Sequence, residues 1–174
     1  YRGMNWASNW LNPKQLRGSM SYVTGTHTAK IGYISTWNYF NDETFDSQSI
    51  AYRFNNGVPN QLTLNNFPRT FTSHVNTHAL YAQDAWVIGR LTMQGGLRYD
   101  YLTSFFPEQQ VGNNKYIPNG FIVPATSGVS IHNVSPRLAS AVDLFGNGST
   151  ALKFTLGKFM EAQETGVLGE LFNP

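Results

Sequence analysis

The stretch at residues 90–101 (RLTMQGGLRYDY) alternates almost without fault between two classes of side chain. Leu91, Met93, Gly95, Leu97, Tyr99 and Tyr101 fall on one parity, and Arg90, Thr92, Gln94, Gly96, Arg98 and Asp100 fall on the other. A period of two predicts a β-strand with one apolar and one polar face. At about 3.3 Å per residue and a tilt near 40°, residues 91–101 cover roughly 25 Å, which is the apolar height that a transmembrane β-strand must cross.

The composition is compatible with a transmembrane β-barrel. Charged residues make up 13% of the 174 residues, about half the share usual for a soluble domain. The mean hydropathy is −0.31, and no apolar run approaches the roughly 18 residues that a spanning helix needs. A barrel explains both the low content of charged residues and the modest mean hydropathy, because half of the residues in each strand face water. Composition alone leaves a secreted β-sandwich rich in Tyr and Asn as the alternative.

Charge and cysteine content exclude several classes of function. The net charge of +2 arises from 12 basic and 10 acidic residues, which are scattered, so nucleic acid is not an expected partner. Cysteine is absent, which excludes disulfides and thiolate metal sites. The chain opens with Tyr1-Arg2-Gly3, without the basic and apolar regions of a signal peptide. We therefore expect a processed chain or a piece of a longer one.

Hairpin patterns predict about eight antiparallel strands. They cover residues 16–24, 28–39, 48–54, 61–66, 73–87, 90–101, 136–145 and 150–160. The phase of the fifth is ambiguous, because Leu80 and Trp86 share a parity with Asp84. In the last, a bulge at Gly157 is expected to send Lys158 inward.

The predicted connections sort by length. Turns at 25–27, 56–59, 88–90 and 146–149 fall on one side of the sheet, and connections at 40–47, 66–72, 104–131 and 161–174 fall on the other. Short periplasmic turns opposite long extracellular loops are typical of outer-membrane barrels. The sequence thus predicts an all-β, antiparallel transmembrane β-barrel.

Aromatic residues mark both ends of the predicted strands. Trp37, Tyr39, Tyr99 and Tyr101 lie toward the long connections, and Trp86 lies near a short turn. This placement predicts two interfacial girdles. The alternative is that Tyr and Phe are simply common in strands.

Several motifs resemble one family of receptors. YAQDAW at 81–86, followed after a short turn by LTMQGGLRYD at 91–100, resembles the mid-barrel of TonB-dependent outer-membrane receptors, most of all the Oar-like group with a carboxypeptidase-regulatory-like domain. SPRL at 135–138, DLFGNG at 143–148 and TALK at 150–153 resemble that group's next hairpin. GTHTAKIG at 25–32 and GVP at 57–59 fit as well. The resemblance covers roughly residues 16–160.

The resemblance implies a 22-stranded barrel, occluded by an N-terminal plug, in the outer membrane of a Gram-negative bacterium. Such a receptor imports a large, scarce ligand with energy delivered by TonB through the plug. Residues 1–174 would then be part of one barrel domain, with the plug and the remaining strands outside this chain. The implied partners are outer-membrane lipid, lipopolysaccharide, TonB and an unidentified ligand.

Two groups of residues are candidates for function within that barrel. The predicted lumen-facing polar residues are Lys30, Arg98, Asp100, Arg137, Asp143 and Lys153. They either pair with each other or with a plug, or they line a ligand path. The predicted ligand-binding residues lie in the extracellular connection 104–131, where Phe105, Phe106, Tyr116 and Phe121 offer apolar and stacking surface.

Other chemistry is not indicated. No nucleophile elbow, zinc-protease motif or phosphate-binding loop is present, so neither an enzyme nor a cofactor is expected. His74 and His78 would be about 13 Å apart on a strand, too far to share one metal ion. Asp42, Glu43 and Asp46 lack the spacing of a calcium loop.

Two alternatives to the receptor remain open. One is a structural or adhesive outer-membrane barrel that docks in a surface assembly, and the other is a secreted glycan-binding β-domain. An upstream plug with a TonB-contacting segment would favour the receptor over the first alternative. Extraction without detergent would favour the second.

Overall fold

A computed structural model describes residues 5–160, which form ten β-strands and no helix long and apolar enough to cross a membrane. The strands are β1 (Asn5–Thr24), β2 (His27–Asp46), β3 (Ile50–Asn55), β4 (Val58–Leu64), β5 (Arg69–Ile88), β6 (Leu91–Phe106), β7 (Gln109–Val111), β8 (Phe121–Val123), β9 (Thr126–Asp143) and β10 (Ala151–Gly157).

Six of these strands build one sheet in the order β1-β2-β5-β6-β9-β10, and every neighbouring pair is antiparallel. The predicted all-β antiparallel fold is therefore confirmed. All eight predicted strands are present, but only six of them belong to this sheet. Residues 48–54 and 61–66 correspond to β3 and β4, which pair only with each other. Alternation identifies a strand but not the sheet to which it belongs.

The connections differ in length at the two ends of the sheet. Tight turns join β1 to β2 and β5 to β6, and residues 144–150 join β9 to β10. At the other end, residues 47–68 carry the β3–β4 hairpin, and residues 107–125 carry the β7–β8 hairpin. The turn predicted at 56–59 is the tip of β3–β4, so it belongs to the long-connection end. The two long connections touch, because the Asn114 side-chain amide donates a hydrogen bond to Asn66 Oδ1.

The main strands are longer than their alternation predicts. β1, β2 and β5 have 20 residues each, which at about 3.3 Å per residue and a tilt near 40° gives a height of roughly 50 Å. That is about twice the apolar band of an outer-membrane barrel. The extra length lies toward the long connections, where polar residues such as Asn9 and Asn12 hide the period of two. Backbone pairing with β2 keeps this part of β1 extended.

The register gives the sheet two faces. On the face that we call the apolar face, large exposed hydrophobic side chains come from every main strand: Leu16, Met20, Ile31, Leu80, Leu97, Leu138, Leu152, Phe154 and Leu156. The opposite, polar face carries Lys30, Gln83, Arg98, Arg137 and Lys153 at the neighbouring positions. A continuous exposed apolar surface of this extent requires a non-aqueous or protein partner.

The register also settles the phase of β5. Trp86 is paired with His27 on β2 and Met93 on β6, so the even-numbered residues of β5 lie on the apolar face. Asp84 lies there as well, and its carboxylate is 2.7 Å from His27 Nδ1. The contact with His27 on the neighbouring strand explains how the carboxylate of Asp84 is accommodated on the apolar face.

The last strand ends earlier than predicted. β10 stops at Gly157, and its pairing with β9 shows no register shift, so the predicted bulge at Gly157 was wrong. The Lys158 amide still donates to Pro136 O at 3.0 Å. Phe159 then lies at the polar face, with its ring centroid 4.7 Å from Arg137 Cζ. The connection predicted at 161–174 lies outside the described residues.

Candidate functional site

A concavity of about 480 Å³ opens on the polar face, at the end near the short turns. Its lining includes the cationic side chains Lys30, Arg98 and Arg137 and the amides Gln83 and Gln94. The concavity is deepest at Gly96, which has no side chain and lies in register between Gln83 on β5 and Arg137 on β9. A Cβ at Gly96 would stand 3.1 Å from Gln83 Cβ, so this position has little room for a side chain.

Arg98 and Asp100 form an ion pair beside this concavity. Arg98 Nε lies 2.9 Å from Asp100 Oδ1 and 3.1 Å from Oδ2. Asp100 is 3% exposed, so its charge needs a close partner. The two residues lie two positions apart on β6, and the alternation of the strand places both on the polar face. A second concavity of about 340 Å³ adjoins the pair and is also lined by Arg137 and Met160.

The remaining cations of the polar face have no acidic partner within residues 5–160. This holds for Lys30, Arg137 and Lys153. Of the six predicted lumen-facing residues, only Arg98 and Asp100 pair with each other. The polar face therefore presents positive charge that is available to another segment or to an anionic molecule.

The sixth predicted lumen residue, Asp143, has a different role. It is the last residue of β9, and its carboxylate accepts hydrogen bonds from the backbone amides of Phe145, Gly146 and Gly148 at 3.2, 2.9 and 2.9 Å. The Gly148 amide is the main cause of a lowered pKa for Asp143; partial desolvation opposes the shift, and the Gly146 and Phe145 amides add to it. Asp143 therefore stabilises the short turn at the end of β9.

The four predicted ligand-binding aromatics do not gather into one surface. Phe105 and Phe106 are the last residues of β6 rather than part of a loop, because β6 continues five residues past Tyr101. Phe106 is 3% exposed, and its ring centroid is 6.3 Å from that of Phe71. The ring centroid of Phe105 is 6.1 Å from that of His74. Tyr116 is half-buried in the second long connection, and Phe121 is exposed on β8.

The five predicted interface aromatics lie at the two ends of the apolar face. Trp86 is near the short turns, with its ring 4.6 Å from that of His27. Trp37, Tyr39, Tyr99 and Tyr101 lie toward the long connections on β2 and β6.

Sequence reasoning missed three histidines that join the outer group of rings. We call this set the histidine belt; it consists of His74, His78 and His132 with Tyr33, Trp37, Tyr39, Tyr99, Tyr101 and Phe105. The ring of Tyr101 lies between two of the histidines, with its centroid 6.3 Å from that of His78 and 4.6 Å from that of His132. The available signal was parity, since His74 and His78 alternate in step with Leu80 and Trp86.

Metal ligands do not converge in the part of the chain that the structure describes. No three His, Asp or Glu side chains gather where an ion could bind. The histidine belt is built from ring contacts and hydroxyl hydrogen bonds instead.

One protein family matches almost the whole sequence. The sequence model of the family described as an outer membrane beta barrel domain matches residues 3–173. No curated protein and no solved structure gives a significant match.

Proposed function

The chain belongs to the outer membrane β-barrel domain family, and from this premise we propose that it forms part of the barrel wall of a TonB-dependent receptor of the Oar-like group. The receptor imports a large, scarce ligand across the outer membrane of a Gram-negative bacterium. The chain itself contributes wall and lumen surface and carries no catalysis.

The observation that carries the proposal is the six-stranded sheet with one apolar face and two edge strands. Within residues 5–160, β1 and β10 each pair on one side only. Lipid does not tolerate unpaired backbone groups in the apolar region. We therefore expect further strands to pair with both edges, as in a wall segment of a large barrel.

The polar face supports a receptor with material inside its lumen. Lys30, Arg137 and Lys153 have no acidic partner among the described residues, and cations on a wall of low dielectric gain from an opposite charge. A plug domain outside this chain, through which TonB acts, supplies such surface. The hairpin β5–β6 also contains the two motifs that most resemble the receptors, at 81–86 and 91–100.

Two measurements on the same outer-membrane extract test the proposal. An antibody raised against the 47–68 connection detects the full polypeptide, whose mass is expected to be several times 19.5 kDa. Immobilised TonB periplasmic domain is expected to retain it, while a porin from the same extract passes through. A mass near 19.5 kDa would contradict the receptor. A large polypeptide that TonB does not retain would favour the structural alternative.

A structural or adhesive barrel is the second candidate, because the sheet extends beyond the apolar band. Trp6 and Trp10 lie on the outer part of β1 and are 58% and 66% exposed, and Trp6 stacks on Phe45 at 4.2 Å. Aromatic surface outside the lipid is suited to contact with another protein. A secreted glycan-binding domain is less consistent with membership of an outer-membrane family.

A further inference from the structure

The chain turns from the edge of the sheet onto the polar face directly after β10. The Lys158 amide still donates to Pro136 O at 3.0 Å, so the backbone follows β9 as far as this residue. The Phe159 ring then lies over Arg137, with its centroid 4.7 Å from Cζ. Met160 lines the concavity of about 340 Å³, whose other walls come from β2, β5, β6 and β9. At residue 160 the chain is therefore directed across the lumen side of the wall.

β9 continues past the end of β10. β10 pairs with residues 137–143 of β9, whereas residues 126–135 of β9 pair, within the described part of the chain, with β6 alone. A continued β10 would follow this open edge, because antiparallel neighbours run side by side. Phe159 and Met160 lie at the polar face instead. The chain therefore leaves the course of a wall strand after Lys158.

An apolar cluster on the same face lies further toward the long connections. We call it the lumen cluster; its members are Phe71, Val75, Leu102 and Phe106. Phe106 is 3% exposed, while Phe105, its neighbour on the opposite face, is 42% exposed. Among the described residues, the apolar side chains packed against Val75 and Leu102 are Val129 and Ile131 of β9, a strand of the same sheet. Neighbours in one sheet leave the outward side of a residue open, so this burial indicates a second layer on the lumen side.

The sequence that follows Met160 complements this face in both charge and polarity. Residues 161–174 (EAQETGVLGELFNP), which lie outside the described residues and which we call the acidic segment, contain no Lys or Arg. Their acids are Glu161, Glu164 and Glu170, and their large apolar side chains are Val167, Leu168, Leu171 and Phe172.

The acidic segment is long enough to reach the lumen cluster. Leu102 lines the same concavity as Met160, and Phe106 lies four residues further along β6, about 13 Å at 3.3 Å per residue. The seven residues from 160 to 167 span up to about 23 Å. The apolar side chains at 167–172 can therefore cover the cluster.

Arg137 is the cation beside the end of the described chain. It contacts Phe159 and lines the same concavity as Met160, so the next residue along the chain can reach its guanidinium. Arg137 has no acidic partner within residues 5–160, and opposite charges attract more strongly where water is partly excluded. Lys153 lies four residues before Gly157, toward the short turns, and so away from the direction taken by the chain.

We propose that the acidic segment docks on the lumen side of this wall, where Glu161 pairs with Arg137 and residues 167–172 cover the lumen cluster. A second layer packs about 10 Å from a sheet, so the docked segment narrows the lumen beside the wall by that amount, without any contribution from a plug. The inference rests on the lumen-facing placement of the polar face and not on transport by TonB.

Photo-crosslinking in the full-length protein tests where the acidic segment lies. Phe172 is replaced by p-benzoylphenylalanine, which keeps an aromatic side chain, and the crosslinked peptides are identified by mass spectrometry. We expect them to come from residues 71–79 and 102–106. The same replacement of Phe154, which is exposed on the apolar face, is the control and is expected to reach neither range.

Failure of position 172 to crosslink to either range would overturn the proposal. Crosslinks to residues 126–135 instead would mean that the segment continues β10 along the open edge of β9. Crosslinks only to parts of the polypeptide outside residues 1–174 would mean that the segment docks elsewhere and that a plug or another segment covers the lumen cluster.

The charge pair is tested by the labelling rate of a cysteine, Leu168→Cys, in the full-length protein. Maleimide modification is read on the peptide that contains position 168, so cysteines elsewhere do not interfere. Arg137→Glu is expected to raise the rate about two- to fivefold, as loss of one partly exposed ion pair implies. Adding Glu161→Arg to the same protein is expected to reverse the rise. Lys153→Glu is the matched control and is expected to leave the rate unchanged.

An unchanged rate in Arg137→Glu, or a rise that Glu161→Arg does not reverse, would overturn the proposed pairing. If Arg137→Glu fails to fold, the crosslinks from position 172 still decide whether the segment docks. Neither readout involves TonB, so failure of this docking is distinguishable from failure of the proposed receptor.

Discussion

The side chain of Tyr81 on β5 lies directly over Gly32 on β2, its register partner on the polar face. A Cβ built at Gly32 falls inside contact distance of the ring carbons and the hydroxyl of Tyr81. Gly32 is buried beneath this ring. An aromatic ring that covers a cross-strand glycine shields the backbone of two paired strands and fixes their register.

The substitution Gly32→Ala is expected to destabilise the sheet, because the new methyl group displaces the Tyr81 ring. Overpacking of this kind costs about 1–3 kcal/mol. The measurement is the urea midpoint of unfolding for the full-length protein in detergent. Gly95→Ala is the control, since a Cβ there meets nothing within 4 Å. The double substitution Gly32→Ala with Tyr81→Ala should cost less than the sum of the single ones, and strict additivity would contradict the contact.

The Arg98–Asp100 pair is expected to show coupling in a double-mutant cycle. Asp100→Asn removes the charge from a carboxylate that is 3% exposed, and Arg98→Gln removes its partner, which is 34% exposed. We expect a coupling energy of about 1–2 kcal/mol, at the lower end for charged hydrogen bonds because Arg98 is partly solvated. Unfolding midpoints of the four proteins give this value. A coupling near zero would show that the two charges act independently.

The turn capped by Asp143 is expected to respond to pH. Because the pKa of this carboxyl is lowered in the folded state, chiefly by the Gly148 amide, its contribution is present above the unfolded value of 3.8 and is lost as the pH falls through the folded pKa. The amide proton shift of Gly148 should therefore titrate with a midpoint below 3.8. Asp143→Ala should abolish that titration. A midpoint at or above the ordinary value would contradict the cap.

Two glycines in the same turn are expected to differ in their tolerance of alanine. Gly146 and Gly148 have φ values of 72° and 73°, so each alanine carries a left-handed strain of about 1–2 kcal/mol. A Cβ at Gly148 meets nothing within 4 Å, whereas one at Gly146 collides with the Arg90 guanidinium. Because the guanidinium is the end of a long, flexible side chain that can move aside, Gly146→Ala should lower the urea midpoint only slightly more than Gly148→Ala. The combination Gly146→Ala with Arg90→Ala should reduce that difference.

The two faces of β6 are expected to meet different environments in the membrane. Because residues 1–174 contain no cysteine, a single cysteine introduced there can be labelled with a fluorophore, and the unsubstituted protein gives the background labelling. A label at Leu97→Cys on the apolar face should be quenched by brominated phospholipid, and a label at Gln94→Cys on the polar face should not. Equal quenching at both positions would contradict a wall that separates lipid from lumen.

The features of the fold that can be predicted from the sequence are those set by the alternation of side chains along one strand. The alternation from Leu91 to Tyr101 gave the two faces of β6. Periodicity does not predict features that depend on a neighbouring strand. The position of Asp84 on the apolar face is explained by His27 on β2, whose Nδ1 contacts its carboxylate. The extension of β1 toward its N-terminus beyond Leu16 depends on backbone pairing with β2. β3 and β4 have the same period as the wall strands, so nothing local distinguishes a hairpin that pairs only with itself.

The candidate sites show the same limit. Lys30, Arg98 and Arg137 were identified as residues of the polar face, but the concavity between them depends on Gly96 lying in register with Arg137. The histidine belt cannot be predicted from spacing along one strand, because its contacts run between strands. The partners of His74 and His78, namely Tyr33, Tyr39 and Tyr101, are on neighbouring strands, 23–45 positions away along the chain.

The length of β1, β2 and β5 affects what the cell presents to its surroundings. Roughly half of each strand extends beyond the apolar band, so much of the surface outside the lipid is hydrogen-bonded sheet, from which the two long connections extend. A molecule that recognises it meets a shape that is already ordered, and little conformational entropy is lost on contact. The exposed part of the protein should therefore behave as a rigid epitope whose geometry is fixed before anything binds.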